Sequence, residues 1–298
     1  MFLNPDRSAT RASQPGGRAA PLGLRVRPFR IGQYAFLLLV VLIADLPLVW
    51  VVLNAFKPAQ EIVAFPPTIL PSTLSLEHFT TLFTLSEFGT YLRNSLFVAT
   101  TATALTLLLG TTAAYSLTRF RFRVVRATGE LALFAYLVPP IVVLVPIAQI
   151  LLGMGLRSNL LALTILYTAL LLPFALWILR SYFLGIAQEL EQAAMVDGCT
   201  RFGAFIRVVL PQAIPGLVST GVFTFNAAWS EYLYASTLMT RPDSLTLSPG
   251  LTLLLFEVGY YSWGVLMAGS VVLVVPTLIV FLIVQRQLVH GAAQGAIK

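Results

Sequence analysis

Apolar residues in this chain gather into long runs separated by short polar gaps. Six stretches stand out: Tyr34 to Phe56, Tyr91 to Leu117, Leu131 to Leu152, Leu160 to Phe183, Gln212 to Met239 and Gly264 to Gln285. Each holds about the 20 residues that a helix needs to cross a bilayer core. Hydrocarbon offers no partner to backbone N–H and C=O groups, so such runs must be helical. The pattern predicts an all-α membrane protein with six transmembrane helices.

The gaps differ in character. Residues 57–90 carry Pro58, Pro66, Pro67, Pro71, Glu61, Glu77 and Glu87, a mixture that favours turns and short helices over a span. Thr240 to Trp263 is a second polar gap, whose apolar part from Leu251 to Phe256 is too short to cross and reads as a re-entrant or interfacial helix. Proline lies inside most spans, at Pro47, Pro139, Pro140, Pro146, Pro173 and Pro276. Each removes a backbone donor and bends its helix, and the Pro139-Pro140 pair is the place where a helix is expected to break.

Composition agrees with this reading. Of 298 residues, 57% are hydrophobic and 10% charged, with a mean hydropathy of +0.85. A water-soluble chain with a polar surface does not carry such values. The net charge of +7 raises the question of nucleic acid, but the basic residues sit in the gaps, where they act as orientation signals. Fifteen fall on one side of the predicted spans and four (Lys57, Arg93, Arg157, Arg241) on the other. The richer side is cytoplasmic by the positive-inside rule, which places both termini in the cytoplasm. Residues 1–33 form a basic arm too poor in apolar residues to fold alone, residues 34–285 the six-span body, and residues 286–298 a cytoplasmic tail. The first apolar run is longer than a signal-peptide core and has no clear cleavage site, so it is read as a retained span.

The chemistry that is missing narrows the field. Only Lys57 and Lys298 are lysines and neither follows a glycine loop, so there is no P-loop for ATP. Two distant histidines, His78 and His290, and a single cysteine, Cys199, support neither a metal cluster nor a disulfide.

One cytoplasmic gap is different. Residues 189–215 read as two short helices hinged at Asp197-Gly198. Glu189 and Glu191 suit the first turn of a helix. Leu190, Ala193 and Ala194 form a narrow face of small residues, and Gly198 supplies a left-handed end. Thr200 caps the second helix, whose stripe of Phe202, Phe205, Ile206 and Val209 runs until Leu210-Pro211 stops it. From spacing alone, this is equally a helix lying on lipid headgroups.

The stretch resembles the cytoplasmic coupling loop of bacterial ABC importer permeases, whose pattern is EAA, three residues, Gly, about nine residues, then I-x-L-P. Here it is Gln192-Ala193-Ala194, Gly198 and Val208-Val209-Leu210-Pro211, with Gln192 in place of the leading Glu. Ordered companions extend the resemblance: Phe56-Lys57-Pro58, Asn94-Ser95, Ala114-Tyr115 followed by Arg119-Phe120-Arg121-Phe122, Val138-Pro139-Pro140, Leu172-Pro173-Phe174 and Phe225-Asn226 with Trp229 and Glu231. The chain is most similar to the carbohydrate-uptake branch, on the side of the maltose-type second permease.

That resemblance implies a non-catalytic, six-span permease domain with a helix-turn-helix coupling loop at residues 184–211, between spans 4 and 5. It implies an inner-membrane complex with a second permease, two ATPase subunits and an extracytoplasmic solute-binding protein, importing a carbohydrate. ATP and Mg would be bound by the ATPase subunits, and no cofactor by this chain. The implied ATPase-coupling residues are Glu189, Glu191, Gln192, Ala193, Ala194, Asp197, Gly198, Leu210 and Pro211. Asn226, Trp229, Ser230 and Glu231 sit close together on span 5 as a possible sugar-contacting face, or as an inter-helical hydrogen-bond network. The carboxylates within the spans, Asp45 and Glu231, must face protein or water. They leave two rivals open, an ion-coupled secondary transporter and a membrane-embedded enzyme.

Overall fold

The computed structural model describes the backbone of residues 28–84, 86–120, 122–257 and 263–295. The basic arm up to Arg27 lies outside the described residues, as do the side chains of the tail from residue 286 on. Among the described residues the elements are all helical. Helix α1 covers Pro28–Ala55, α2 Ala59–Ile62, α3 Glu77–Thr84, α4 Phe88–Arg119, α5 Arg123–Leu137, α6 Pro140–Gly153 and α7 Leu160–Leu184. Then come α8 (Gln188–Val196), α9 (Arg201–Ala204), a π-helical turn (Phe205–Val209), α10 (Leu210–Trp229), α11 (Leu233–Leu238), α12 (Leu247–Glu257) and α13 (Trp263–Gly295).

The chain divides into two units after Pro47. In the first, the α1 residues from Gly32 to Pro47 are exposed on every side, Asp45 included. Apart from Asp45 the body of this stretch is apolar all round, which suits a lipid surrounding, and the chain's own described residues do not bury the carboxylate.

The second unit is a bundle in which α4, α7 and α10 pack on one another and α13 packs on α10. Close approach depends on small residues: a Cβ on Gly110 of α4 would lie 3.5 Å from the Ala175 Cβ of α7. Ala114 and Ala268 are likewise fully buried. Two apolar cores result. The larger gathers around Phe88, Tyr91, Leu163, Trp229 and Leu247. The smaller, around Tyr115, Leu179, Phe183, Phe205 and Val209, closes the end of the bundle that carries α8.

Among the described residues, five helices are long and apolar enough to cross a membrane, and six if α5 and α6 form one span. The predicted third span is broken where the proline pair stands: its halves diverge by 103° between Leu137 and Pro140. Pro139 precedes α6 and Pro140 opens it, positions where a missing N–H loses no helical bond. Pro146 lies within α6 without ending it.

The fifth span departs from expectation at both ends. Leu210-Pro211 does not stop the preceding helix, because Arg201 to Leu238 runs as one span-length unit. Pro211 opens α10 immediately after the π turn, and that wider turn leaves room for a ring that would otherwise press on the carbonyl four residues back. Within the span, α10 ends at Trp229 and α11 begins at Leu233, so Ser230 to Tyr232 interrupt the predicted helix. The short helices predicted in the two long gaps appear as α2, α3 and α12.

Candidate functional site

At the α8 end, the hinge is built as its sequence requires. The amide of Cys199 donates to Ala194 O at 3.0 Å and that of Gly198 to Met195 O at 3.1 Å, the paired bonds of a Schellman ending. That geometry needs a left-handed residue, and Gly198 has φ +92°. The chain restarts at Thr200, whose Oγ1 accepts from the Gly203 amide at 3.1 Å.

The second helix buries one side only. Phe205 and Val209 enter the smaller core, whereas Phe202 and Ile206 remain exposed. The stripe read from the sequence therefore splits into an inward and an outward half. On α8 itself Glu189, Leu190, Gln192 and Ala193 are exposed, Ala194 is half-buried, and Val196 is 88% exposed. Asp197 and Gly198 are exposed at the turn. Leu210 is half-buried and Pro211 exposed at the start of α10.

Glu191 does not share this exposure, although it lies in the same first turn as Glu189. It is 4% exposed and sits against the last turn of α4. Arg119 Nε approaches its Oε2 at 2.8 Å, and the Tyr115 hydroxyl donates to Oε1 at 2.5 Å. Arg119 also donates to Ile186 O, at 3.1 Å. Glu191 is thus engaged within the chain, and the exposed side chains of α8 include Glu189, Leu190, Gln192, Ala193 and Val196. Tyr115 and Arg119, quoted above only among the motifs of the resemblance, are the partners of Glu191 to which the sequence reading gave no role. Their signal was there: an aromatic hydroxyl and a guanidinium four residues apart share one helix face, at a span end beside an acidic loop.

The candidate pathway group on span 5 divides likewise. Asn226 and Ser230 are exposed, while Trp229 is 2% exposed and packs inward, stacked on Phe225 with ring centroids 5.7 Å apart. Its Nε1 donates to Leu273 O on α13 at 2.9 Å. The four residues do not share one face, since the helix ends between them. Glu231 lies in the interruption, where its oxygens accept from the amides of Tyr234 and Ala235 at 2.9 and 3.0 Å, satisfying orphan donors of α11. It also accepts from the Tyr167 hydroxyl of α7. Tyr234 in turn donates to Pro140 O at 2.8 Å, so α6, α7 and α11 are joined around one carboxylate. This is the inter-helical network left open as an alternative above.

A family model described as "Binding-protein-dependent transport system inner membrane component" matches residues 106–291. The chain belongs to that family. The permease is therefore a multi-pass membrane protein and a transport component. It is 34% identical over 271 residues to the inner membrane ABC transporter permease protein YcjP of Escherichia coli, covering 90% of this chain and 96% of that one. It is 36% identical over 252 residues to the diacetylchitobiose uptake system permease protein DasC of Streptomyces coelicolor, covering 85% and 91%. With the arabinooligosaccharides transport system permease protein AraQ of Halalkalibacterium halodurans it shares 30% identity over 259 residues, covering 86% and 92%. The permease fold also resembles a chain in the crystal structure of a bacterial ABC transporter involved in alginate import, with a TM-score of 0.78 at 21% identity over 90% of this chain and 99% of that one.

Proposed function

We propose that this permease forms part of the translocation pathway of an ATP-driven importer for an oligosaccharide, with α8 as the helix that engages a separate ATPase subunit. The observation that carries this reading is α8 itself. It is a short amphipathic helix between spans 4 and 5, with Glu189, Gln192, Ala193 and Val196 outward and a left-handed hinge at Gly198 behind it. The charge distribution supports a cytoplasmic location for this end and for both termini. The relatives named for diacetylchitobiose and arabinooligosaccharides support a carbohydrate cargo.

The complete importer has a second permease, two ATPase subunits that bind ATP and Mg, and an extracytoplasmic solute-binding protein. When the ATPases close on ATP they draw α8 with them. The motion passes into the spans, because α8 fits one ATPase conformation better than the other; an equal fit would shift nothing. The exposed Asn226 and Ser230, next to the break in span 5, face the sugar along its path.

The test is reconstitution of the complex purified through this chain into proteoliposomes, followed by uptake of labelled chito- and arabino-oligosaccharides. Uptake that requires the binding protein and ATP is expected. Uptake in ATP-depleted vesicles driven by an ion gradient would replace this reading with the secondary-transporter one.

A further inference from the structure

The motion of a coupling helix is easily pictured as passing only to the spans on either side of it in sequence, α7 and α10. α8 does pack on α9 and the π turn that lead into α10, but its buried polar link runs elsewhere. Its buried carboxylate, Glu191, pairs with Arg119 at the end of α4, and the two side chains are 5% and 6% exposed. Tyr115, one turn earlier on α4, donates to the same carboxylate at 2.5 Å, and its ring packs on Phe205 of the π turn, with centroids 4.5 Å apart. Through Nη2 the Arg119 guanidinium also holds Ile186 O, in the linker leading into α8. The linker at Ile186 and α8 itself at Glu191 are thus fixed to one side chain of the second span.

We propose that Arg119 and Tyr115 are positioning residues that latch the coupling helix to the second span, so that displacement of α8 is delivered to α4 directly. The inference rests on the reading of α8 as the ATPase-engaging helix. Two physical features support it. First, charges this deeply buried are tolerable only while paired in good geometry, so the contact sets a narrow register between α8 and α4. The planar guanidinium meets its two acceptors through separate N–H groups, which fixes orientation as well as distance. Second, α4 packs against both α7 and α10, so a pull at its Arg119 end reaches the centre of the bundle.

The experiment uses the complex that co-purifies with the full chain, reconstituted with its binding protein, and reads labelled sugar imported per ATP hydrolysed. In an Arg119→Met, Glu191→Leu double variant the core remains filled while the ionic register is lost. Sugar per ATP is expected to fall by roughly 5- to 150-fold, the span of ordinary coupling between sites, while hydrolysis continues. Tyr115→Phe keeps the ion pair and removes one donor, and a smaller fall is expected. A double variant that imports as much sugar per ATP as the wild type overturns the latch. If the double variant does not assemble, Tyr115→Phe decides: an unchanged ratio overturns the proposal, and a lowered ratio with hydrolysis intact supports it. A wild-type chain that recovers no ATPase refutes the docking reading, and the latch with it.

Discussion

The Asn94 side-chain amide donates to the backbone carbonyl of Leu245 at 2.9 Å, joining the start of α4 to a loop 151 residues further along the chain. The same Nδ2 reaches Asp243 O at 2.9 Å. Next to it, Ser95 Oγ accepts the Leu247 amide at 2.6 Å, which satisfies an orphan donor at the start of α12. Two adjacent polar residues of a span therefore hold the loop that introduces α12. Asn94→Ala leaves two carbonyls without their donor in a buried site, and a loss of about 1–3 kcal/mol is expected. Thermal unfolding in detergent measures it. Asn94→Asp is expected to be worse, since a carboxylate cannot donate to either carbonyl.

Glu231 accepts from two backbone amides and a tyrosine hydroxyl at the break in span 5. Glu231→Ala strands those donors where water is scarce, and destabilisation of about 2–4 kcal/mol is expected. Glu231→Gln keeps an acceptor oxygen and is expected to lose less. Because the carboxylate is structural in this reading, the Gln variant should import sugar with the same pH profile as the wild type. A lost or shifted profile in reconstituted vesicles would give Glu231 a role in proton transfer.

Thr106 is fully buried on α4, and its hydroxyl has no hydrogen-bond partner among the described residues. Thr106→Val has nearly the same shape and removes a polar group that gains nothing from burial. The variant is expected to be neutral or to gain up to about 1 kcal/mol, read as a raised melting temperature. A clear loss of stability would mean that the hydroxyl is satisfied in the assembled importer.

Gly198 has φ +92°, a region that costs an L-residue about 1–2 kcal/mol. Gly198→Ala should loosen the end of α8, with faster hydrogen exchange from Gln188 to Val196 and reduced uptake. Gly198→Pro, whose ring fixes φ near −65°, should abolish uptake while the chain still inserts.

In the segment between α1 and α3, Ser72 donates both its hydroxyl and its amide to Glu61. Those bonds hold the Glu61 carboxyl below its ordinary pKa. A depressed pKa means that the contribution is complete above the ordinary carboxylate value and fades as pH falls through the lowered one. Hydrogen exchange of residues 59–75 should therefore rise on acidification. Ser72→Ala should exchange fast already at neutral pH and respond little to acid.

Much of this fold is legible in one dimension because lipid imposes a one-dimensional rule. Runs of about 20 apolar residues must be helices, and the runs beginning at Tyr91 and Leu160 match α4 and α7 to within a few residues. Local backbone rules were equally readable: Gly198 ends α8, Thr200 caps α9, and the Pro139-Pro140 pair breaks the third run. Each of those features depends on residues within one turn of one another.

What the sequence did not disclose depends on partners far apart along the chain. Nothing local distinguishes Glu189 from Glu191, since both belong to the first turn of one helix. Only the arrival of Arg119 and Tyr115, 72 and 76 residues earlier in the chain, buries one of them and leaves the other exposed. Nor does hydropathy mark where α10 stops. A run from Gln212 to Met239 is apolar enough to continue, but Glu231 collects its three donors only if the helix opens there, and one of them comes from α7. The sequence by itself determined which segments are helical in the membrane and where α8 hinges, because those follow from solvent and from backbone sterics. Tertiary packing alone decided which face of α8 is free, because burial of a charge requires a counter-charge that only the folded bundle brings within reach.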